Sequence, residues 1–153
     1  MQDRYLFKAK RKDNGEWVEG FYFCMTHTDG RHTHHFIIPL GADLSLGTPV
    51  EKIQVEVDQS TICQCTGLKD KNGRVIWEND IVNGIIKRGA AFYRCLVLWN
   101  ECKARFDVRA MGCNFPMTLD ECTDDISMSG FDYEVVGNVF DNPELLEDSH
   151  DGE

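Results

Sequence analysis

Alternation of apolar and polar residues with a period of two constrains the fold of this chain more than any other feature. Residues 5–10 alternate so that Phe7 and Lys8 fall on opposite faces of an extended strand. Two further strand-like runs follow, each introduced by a glycine-containing turn, and Pro39 ends the second because proline cannot donate to a central ladder. These runs are residues 17–24 and 33–38. The first third of the chain therefore predicts a three-strand antiparallel meander.

The middle of the chain repeats this pattern. Asn72 and Gly73 form the strongest turn signal, because both residue types accept the left-handed conformations of a type I′ hairpin turn. Residues 75–77 are predicted as the return strand. Further strands are predicted at residues 53–57, 61–65, 81–86, 92–99, 104–108 and 132–140. The fold class predicted from the sequence is mainly β, with antiparallel strands.

Short helices are predicted only near the C-terminus. Thr118 and Glu121 have the spacing of a capping box, in which a hydroxyl and a carboxylate satisfy amides at the start of a helix. Asn142 and Pro143 are typical of an N-cap and the first residue of a helical turn. Residues 148–153 lie past the last apolar anchor, so we expect a disordered acidic tail there.

Length and composition favour a single globular domain over residues 1–147. The chain has 153 residues, of which 42% are hydrophobic, enough to bury one core without disulfides or metal. Apolar positions of the predicted strands near the Asn-Gly turn are expected to share that core. They are Trp77, Ile81, Val97, Trp99, Phe106, Val135 and Val139.

The cysteines and the N-terminal sequence predict a cytoplasmic protein. There are seven cysteines, an odd number whose spacing resembles no disulfide framework, so we expect reduced thiols. The N-terminal sequence has no apolar stretch of the length that a signal peptide needs, and no run of about 18 apolar residues that would span a membrane.

Charge is distributed unevenly along the chain. All 16 Lys and Arg lie at or before Arg109, among 14 acids, whereas residues 110–153 contain 12 acids and neither Lys nor Arg. A solvated tail, docking on the chain's own basic strands and a surface for a basic partner all fit this pattern. Because residues 132–140 are predicted as a strand, we expect the acidic part to fold back onto the preceding strands. This arrangement, with a net charge of −10, disfavours nucleic acid as a partner.

Four segments of the chain form a recognisable set of motifs: residues 7–9 (FKA), 66–73 (TGLKDKNG), 77–82 (WENDIV) and 134–146 (EVVGNVFDNPELL). Together they resemble the YopX family, small proteins carried by phages and prophages. The two middle segments are similar to the family signature, the last resembles its closing motif and the first its opening. The resemblance spans most of the chain.

The resemblance implies a β-rich fold with a small SH3-like barrel, which we place at about residues 61–141 after a meander over about residues 1–58. It also implies a phage or prophage origin and the cytoplasm of a bacterial host, but no activity and no catalytic residue. The chain departs from the family at Asn79, where glycine is usual. Asparagine tolerates the left-handed conformation, so we expect the turn to be retained.

The signature itself is interpreted as hairpin chemistry rather than as a ligand-binding loop. Gly67 and Gly73 allow backbone conformations that other residues rarely adopt, and Asp70 and Asn72 have side chains that can accept hydrogen bonds from nearby amides.

A zinc site is the first chemical hypothesis to weigh. Imidazole and thiol ligands crowd the second predicted hairpin and a nearby strand: Cys24, His27, His32, His34, His35, Cys63 and Cys65. The chain has no Cys-x-x-Cys pair and no second knuckle, so a polar hairpin with a buried Cys24 is favoured over a metal site.

Other site classes leave no short motif in this chain. A nucleophilic cysteine with a histidine and an acid is compositionally available, but neither a nucleophile elbow nor a phosphate-binding loop is present. Two acidic pairs, Asp124-Asp125 and Glu147-Asp148, are more typical of solvated surface than of a cation site. Basic strips with aromatic residues between them contain Lys8, Lys10, Arg11, Lys12, Lys69, Lys71, Arg74, Lys87 and Arg88. We assign no catalytic, cofactor-binding or metal-binding residue and no cofactor.

Taken together, the sequence favours a phage or prophage accessory protein of unknown biochemical activity that acts through contacts with another protein, or with a second copy of itself. The alternatives are a small hydrolase or metal-dependent enzyme without a linear motif, and a nucleic-acid-binding SH3-like barrel. A membrane partner is not expected.

Overall fold

We describe the protein from a computed structural model, which covers residues 3–86, 92–112, 116–119 and 131–147. The chain divides into two compact units, residues 1–65 and 66–153, and passes from one to the other within a strand. The described strands pair antiparallel in two sheets, and the fold is mainly β as predicted. In the part of the chain that the structure describes, no helix is long and apolar enough to cross a membrane.

The N-terminal unit contains the predicted meander. Its strands run in the order β4-β3-β2-β1-β5, and Arg11 bridges to Val57 beyond the end of β1. The strands are β1 (Phe7–Lys10), β2 (Trp17–Thr26), β3 (Thr33–Pro39), β4 (Val55–Glu56) and the start of β5 (Cys63–Lys69). The short helix α1 (Val50–Ile53) follows Pro49, and 3₁₀ turns occupy Asp3–Tyr5 and Gln59–Thr61. The strand predicted from residue 53 is therefore shorter, because Ile53 still belongs to a helical turn.

The core of the N-terminal unit lies on one face of this sheet. Ala9, Ile37 and Val57 are fully buried there. Val18 and Tyr22, at alternate positions of β2, pack against them. Since successive side chains of a strand point to opposite faces, the intervening residues of β2 face away from this core.

The C-terminal unit holds the second sheet, ordered β10-β9-β8-β7-β11. The strands of this sheet are β7 (Asp80–Ile86), β8 (Phe92–Asn100), β9 (Arg105–Ala110), β10 (Met117–Thr118) and β11 (Phe131–Asn138). The unit also contains the strand β6 (Val75–Trp77). The expected SH3-like barrel is not confirmed, because the described strands do not close: β10 and β11 lie at opposite edges.

The predicted C-terminal helices are also not confirmed as α-helices. Thr118 belongs to the two-residue strand β10, and residues 120–130, where the first helix was expected, lie outside the described residues. The second segment is a single 3₁₀ turn, Pro143–Leu146, which begins after Asn142 as expected. The predicted tail at residues 148–153 also lies outside them.

The core of the C-terminal unit is the larger of the two. Its buried members are Ile76, Val82, Cys95, Val97, Val108, Ala110, Leu119, Tyr133 and Val135, with Leu68 and Phe106 packed against them. The predicted membership is thus confirmed for Val97, Phe106 and Val135. Trp77 and Ile81 are buried but lie outside this cluster, since Ile81 is on the opposite face of β7 from Val82. The prediction is wrong for Trp99, which is 40% exposed near the end of β8.

Candidate binding surface

The signature turn between β5 and β6 is built around one buried carboxylate. Asp70 Oδ1 accepts hydrogen bonds from the backbone amides of Asn72 at 2.8 Å and Arg74 at 2.9 Å. Its Oδ2 accepts from the amide of Val135 at 3.0 Å. Only Gly73 of this turn has a positive φ, 81°, so the predicted type I′ turn is wrong. The chain instead makes a longer loop that ends in a left-handed glycine, a common hairpin arrangement.

The second half of the signature also stabilises a turn of the backbone. Asn79 has φ of 65°, which confirms that asparagine takes the left-handed turn position here. The buried Asp80 accepts from the amide of Trp77 at 2.9 Å. The amide of Asn79 donates to the carbonyl of Val97 at 2.9 Å, which fixes this turn to β8.

The signature turn binds directly to the closing motif. The amide of Lys71 donates to the carbonyl of Tyr133 at 2.9 Å, and its ammonium lies 2.9 Å from Glu134 Oε2. Arg74 also donates to the carbonyl of Val135 at 3.4 Å. Two motifs about 60 residues apart in the chain are thus one structural element, which supports the interpretation as hairpin chemistry.

The histidine-rich hairpin does not assemble the zinc site that we considered. His27, His32 and His34 share one face of the β2–β3 hairpin, with ring centroids 6.0 Å apart for His27 and His32 and 5.2 Å for His27 and His34. His35, the next residue along, faces the other way and lies 2.7 Å from the Tyr22 hydroxyl. Among the described residues, no group of three His, Cys, Asp or Glu is arranged to hold a metal ion.

The cysteines that we considered as zinc ligands differ from one another in burial. Cys24 is exposed, so the expected buried Cys24 is wrong, because it lies near the open end of β2 beyond the core. Cys63 and Cys65 are fully buried in β5. None of the five described cysteines forms a disulfide, and Cys113 and Cys122 lie outside the described residues.

Four of the nine basic residues that we considered for nucleic-acid binding, Arg11, Lys12, Lys71 and Arg74, contact acids or backbone carbonyls. Arg11 bonds Asp13 at 2.9 and 2.6 Å, which lowers the pKa of that carboxyl group. Lys12 lies 2.9 Å from Glu56 Oε1, as does His34 Nδ1. Hydrogen bonds from His34 and Lys12 hold the pKa of Glu56 below its ordinary value. These cations are balanced locally, so they do not form a continuous phosphate-binding patch.

The other candidates add no site. Lys87 and Arg88, and the pair Asp124-Asp125, lie outside the described residues, as does Asp148 of the second acidic pair. Burial raises the pKa of the Tyr22 hydroxyl, which also bonds Cys24, so this phenol is a weaker acid than usual.

The outward side of the N-terminal sheet carries an exposed apolar surface that sequence reasoning missed. We call it the aromatic face and define it by Trp17, Phe21, Phe23 and Met25 of β2 and Phe36 of β3. Phe21 and Met25 are each 48% exposed, and the half-buried Phe23 stacks on Phe36, which is itself buried, with ring centroids 5.3 Å apart. The sequence did contain a signal for this surface, because residues 21–23 are all apolar. A strand with apolar side chains at both odd and even positions has two apolar faces.

Two lysines lie at one end of the aromatic face. The ammonium groups of Lys8 and Lys10 lie 5.1 and 5.5 Å from the centroid of the Trp17 ring. Alternation along β1 places both lysines on this side of the sheet, because Phe7 and Ala9 face the core. The surface therefore combines stacked rings, exposed aliphatic atoms and two positive charges.

Comparison with known proteins identifies the family. The model of the YopX protein family matches residues 6–147, nearly the whole chain. The chain belongs to the YopX family. No curated protein matches it. Among solved structures, protein EF1440 from Enterococcus faecalis is 24% identical, with a TM-score of 0.47, over 92% of this chain and 96% of that chain.

Within this YopX protein, the motif residues and the candidate surface are different residues. The signature and closing motifs supply turns and buried carboxylates to the C-terminal unit. The aromatic face lies on the N-terminal unit, outside both motifs. Any binding through that face would therefore depend on residues that the signature does not contain.

Proposed function

We propose that this protein is a phage or prophage accessory protein that works in the bacterial cytoplasm by binding another protein through its aromatic face. The observation that carries the proposal is the exposure of Phe21 and Met25, next to the Phe23–Phe36 stack. Contiguous exposed apolar surface costs free energy in water and commonly marks a protein interface. Aromatic residues and methionine are also enriched at such interfaces.

The competing functions have less support in the described residues. An enzyme would need a nucleophile, a base and an orienting group within hydrogen-bonding reach, and a metal enzyme would need a ligand cluster. The histidines fall on both faces of one hairpin. Nucleic-acid binding would need clustered cations, but Arg11, Lys12 and Lys71 are paired with acids.

The test is affinity capture from host cells with matched variants of the full chain. We expect the wild-type chain to retain a specific host or phage protein, and Phe21→Ser with Met25→Ser to lose it. The control is Tyr93→Ser, which removes a ring that is 47% exposed in the C-terminal unit and should retain the same protein. Equal recovery by all three chains would overturn the proposal, provided that their melting temperatures agree.

A further inference from the structure

β2 is longer than the strand on one side of it, and part of its edge is therefore open. β1 pairs with residues 17–20 of β2, and Phe7, the first residue of β1, lies opposite Gly20. On the other side, β3 pairs with β2 from Gly20 to Thr26. Within the described strands, β2 has β1 and β3 as its neighbours, so no described strand pairs with residues 21–26 on the β1 side.

Backbone hydrogen bonds at both ends of the β2–β3 ladder show which residues of β2 bond β3. The amide of Leu40 donates to the carbonyl of Glu19 at 3.0 Å, and the amide of His27 donates to the carbonyl of His32 at 2.8 Å. Hydrogen-bonded pairs alternate with non-bonded pairs along an antiparallel ladder. The odd-numbered residues of β2 therefore direct their backbone groups to β3.

The even-numbered residues of β2 direct their backbone groups the other way. The amide of Arg11 donates to the carbonyl of Glu16 at 2.9 Å, which fixes this parity on the β1 side. Past the end of β1, the even-numbered residues of β2 are Tyr22, Cys24 and Thr26. Each of them points one N–H donor and one C=O acceptor to the open side, at the spacing that a further strand would match. Cys24 and Thr26 are exposed, so this edge is accessible.

This edge lacks the features by which proteins usually protect an unpaired strand from other chains. Protected edge strands are short, or they carry charged residues, proline or a bulge. Residues 20–27 (GFYFCMTH) contain no Lys, Arg, Asp, Glu or Pro, and their register with β3 continues without a shift up to Thr26. The edge strand β4, in contrast, has only two residues, one of which is the charged Glu56. The open part of β2 is therefore suited to pairing.

A second copy of this chain supplies a strand that fits the edge. Two copies of residues 22–26 related by a two-fold axis run antiparallel, so the donors of each copy meet the acceptors of the other. Because the segment is uncharged, no like charges face each other across the axis. Residues 1–65 contain seven Lys and Arg and nine Asp and Glu, a net charge of −2, so long-range repulsion between two N-terminal units is weak.

The same pairing brings apolar side chains of the two copies together. Phe21, Phe23 and Met25 project from one face of β2, and a two-fold axis perpendicular to the sheet keeps that face on the same side in both copies. Phe23 and Met25 would then lie beside their counterparts at the spacing of neighbouring strands, about 5 Å. Met25, which is 48% exposed in the single chain, would be partly covered.

We infer that residues 22–26 of β2 pair antiparallel with the same residues of a second copy, which joins two N-terminal sheets into one about a two-fold axis. The segment is its own complement, because it is uncharged at every paired position and apolar on the matching face, so no foreign sequence is needed. This inference is independent of the proposed function, because it concerns the edge of β2 and not its outward face.

The first test compares two replacements at one position of the open edge. Cys24→Pro removes an N–H that points to the open side and leaves the bonds to β3, since proline is tolerated where an edge strand faces solvent. Sedimentation equilibrium of the full chain is measured at about 0.1 mM, because a short strand pair is a small interface. We expect twice the mass of one chain for the wild type and for Cys24→Ser, and the mass of one chain for Cys24→Pro.

A second pair of variants keeps the test decisive if Cys24→Pro fails to fold. Thr26 and Thr33 are register partners whose hydroxyl oxygens lie 2.9 Å apart, so replacing either by lysine breaks the same hydrogen bond. Thr26→Lys puts a charge on the open edge in both copies and should abolish the dimer. Thr33→Lys is the matched control on β3, one strand away from that edge, and should retain it.

Cross-linking locates the contact. A short bis-maleimide should join two wild-type chains through Cys24, an exposed thiol at the centre of the paired segment, and should fail to join Cys24→Ser chains. A wild-type chain with the mass of a monomer, a dimer that survives Thr26→Lys, or equal cross-linking of Cys24→Ser would each overturn the inference. A dimer that is lost only with Phe21→Ser and Met25→Ser would also overturn it, because the copies would then associate face to face.

Discussion

The two units of this protein use their polar residues in different ways. The C-terminal unit buries three carboxylates, Asp70, Asp80 and Asp107, each with at least one hydrogen-bond donor. In the described part of the N-terminal unit, the buried polar side chain is Thr61, which accepts from the amide of Lys10 at 2.8 Å. A buried carboxylate must be satisfied, so the C-terminal unit is specified by polar networks and the N-terminal unit mainly by apolar packing.

Their apolar residues differ as well. The C-terminal unit gathers nine buried residues into one cluster, whereas the N-terminal unit has three fully buried ones in a smaller cluster. The N-terminal unit also leaves apolar side chains of β2 exposed on its outward side. The signature residues thus stabilise the C-terminal unit, and we propose that the N-terminal unit presents the surface for a partner.

The largest expected effect tests the close packing of the N-terminal sheet. A Cβ added at Gly20 would overlap the backbone carbonyl of Ile38 on the neighbouring strand, which cannot move without breaking the β2–β3 pairing. We expect Gly20→Ala to destabilise the protein by about 3 kcal/mol or more, measured by chemical denaturation. Gly84→Ala is the control in the C-terminal unit, where the nearest atoms would lie at 3.6 Å or beyond, and it should cost less than about 1 kcal/mol.

The next prediction tests the polar network of the C-terminal unit. Asp70→Ala would leave three backbone amides, at Asn72, Arg74 and Val135, without their side-chain acceptor. We expect a loss of about 2 to 4 kcal/mol in the free energy of unfolding. Asp29→Ala removes an exposed acceptor of one amide in the N-terminal hairpin, and its cost should be below about 1 kcal/mol. Similar costs for the two variants would contradict the difference drawn between the units.

The smallest effect concerns acid stability of the N-terminal unit. His34 and Lys12 lower the pKa of Glu56 in the folded state, so this carboxylate stabilises the fold above its ordinary pKa. The contribution is lost as the pH falls through the lowered folded-state pKa. Glu56→Gln should therefore reduce stability slightly at neutral pH and have no effect once the carboxylate is protonated, as measured by urea midpoints between about pH 7 and 3. The effect is small because the side chain is 37% exposed.

A control for this pH dependence is available on the same unit. Glu51→Gln changes an exposed carboxylate at the start of α1, and its urea midpoints should follow those of the wild-type chain at every pH. A pH-independent loss in Glu56→Gln would show that its role is packing rather than charge.

Much of the strand pattern follows from local sequence. β6 was predicted at its observed bounds, and β7, β8 and β9 within one or two residues, because alternation and turn residues act over a few positions. The left-handed turn at Asn79 was also predictable, since asparagine tolerates that backbone conformation. The sequence predicted that the Asp70 side chain bonds nearby amides of its turn. It did not predict the hydrogen bond that Asp70 accepts from the amide of Val135, 65 residues away.

What local sequence failed to predict depends on register and on neighbours distant in the chain. Thr118 fits a capping box, yet it pairs with Asp107 as a strand, because tertiary pairing outweighs a local helix signal. His34 and His35 are adjacent in sequence but lie on opposite faces of β3, which separates candidate metal ligands that composition placed together.

The sequence by itself determined the mainly β class, most of the strands and the family, since periodicity, turn residues and motif spacing are properties of short segments. The tertiary structure alone decided that the strands form open sheets, that Trp99 is exposed, and that β2 presents an aromatic face with two lysines at one end. Which face of a strand is buried depends on what packs against it. Because β2 has apolar side chains on both faces, its own sequence does not determine which face is buried.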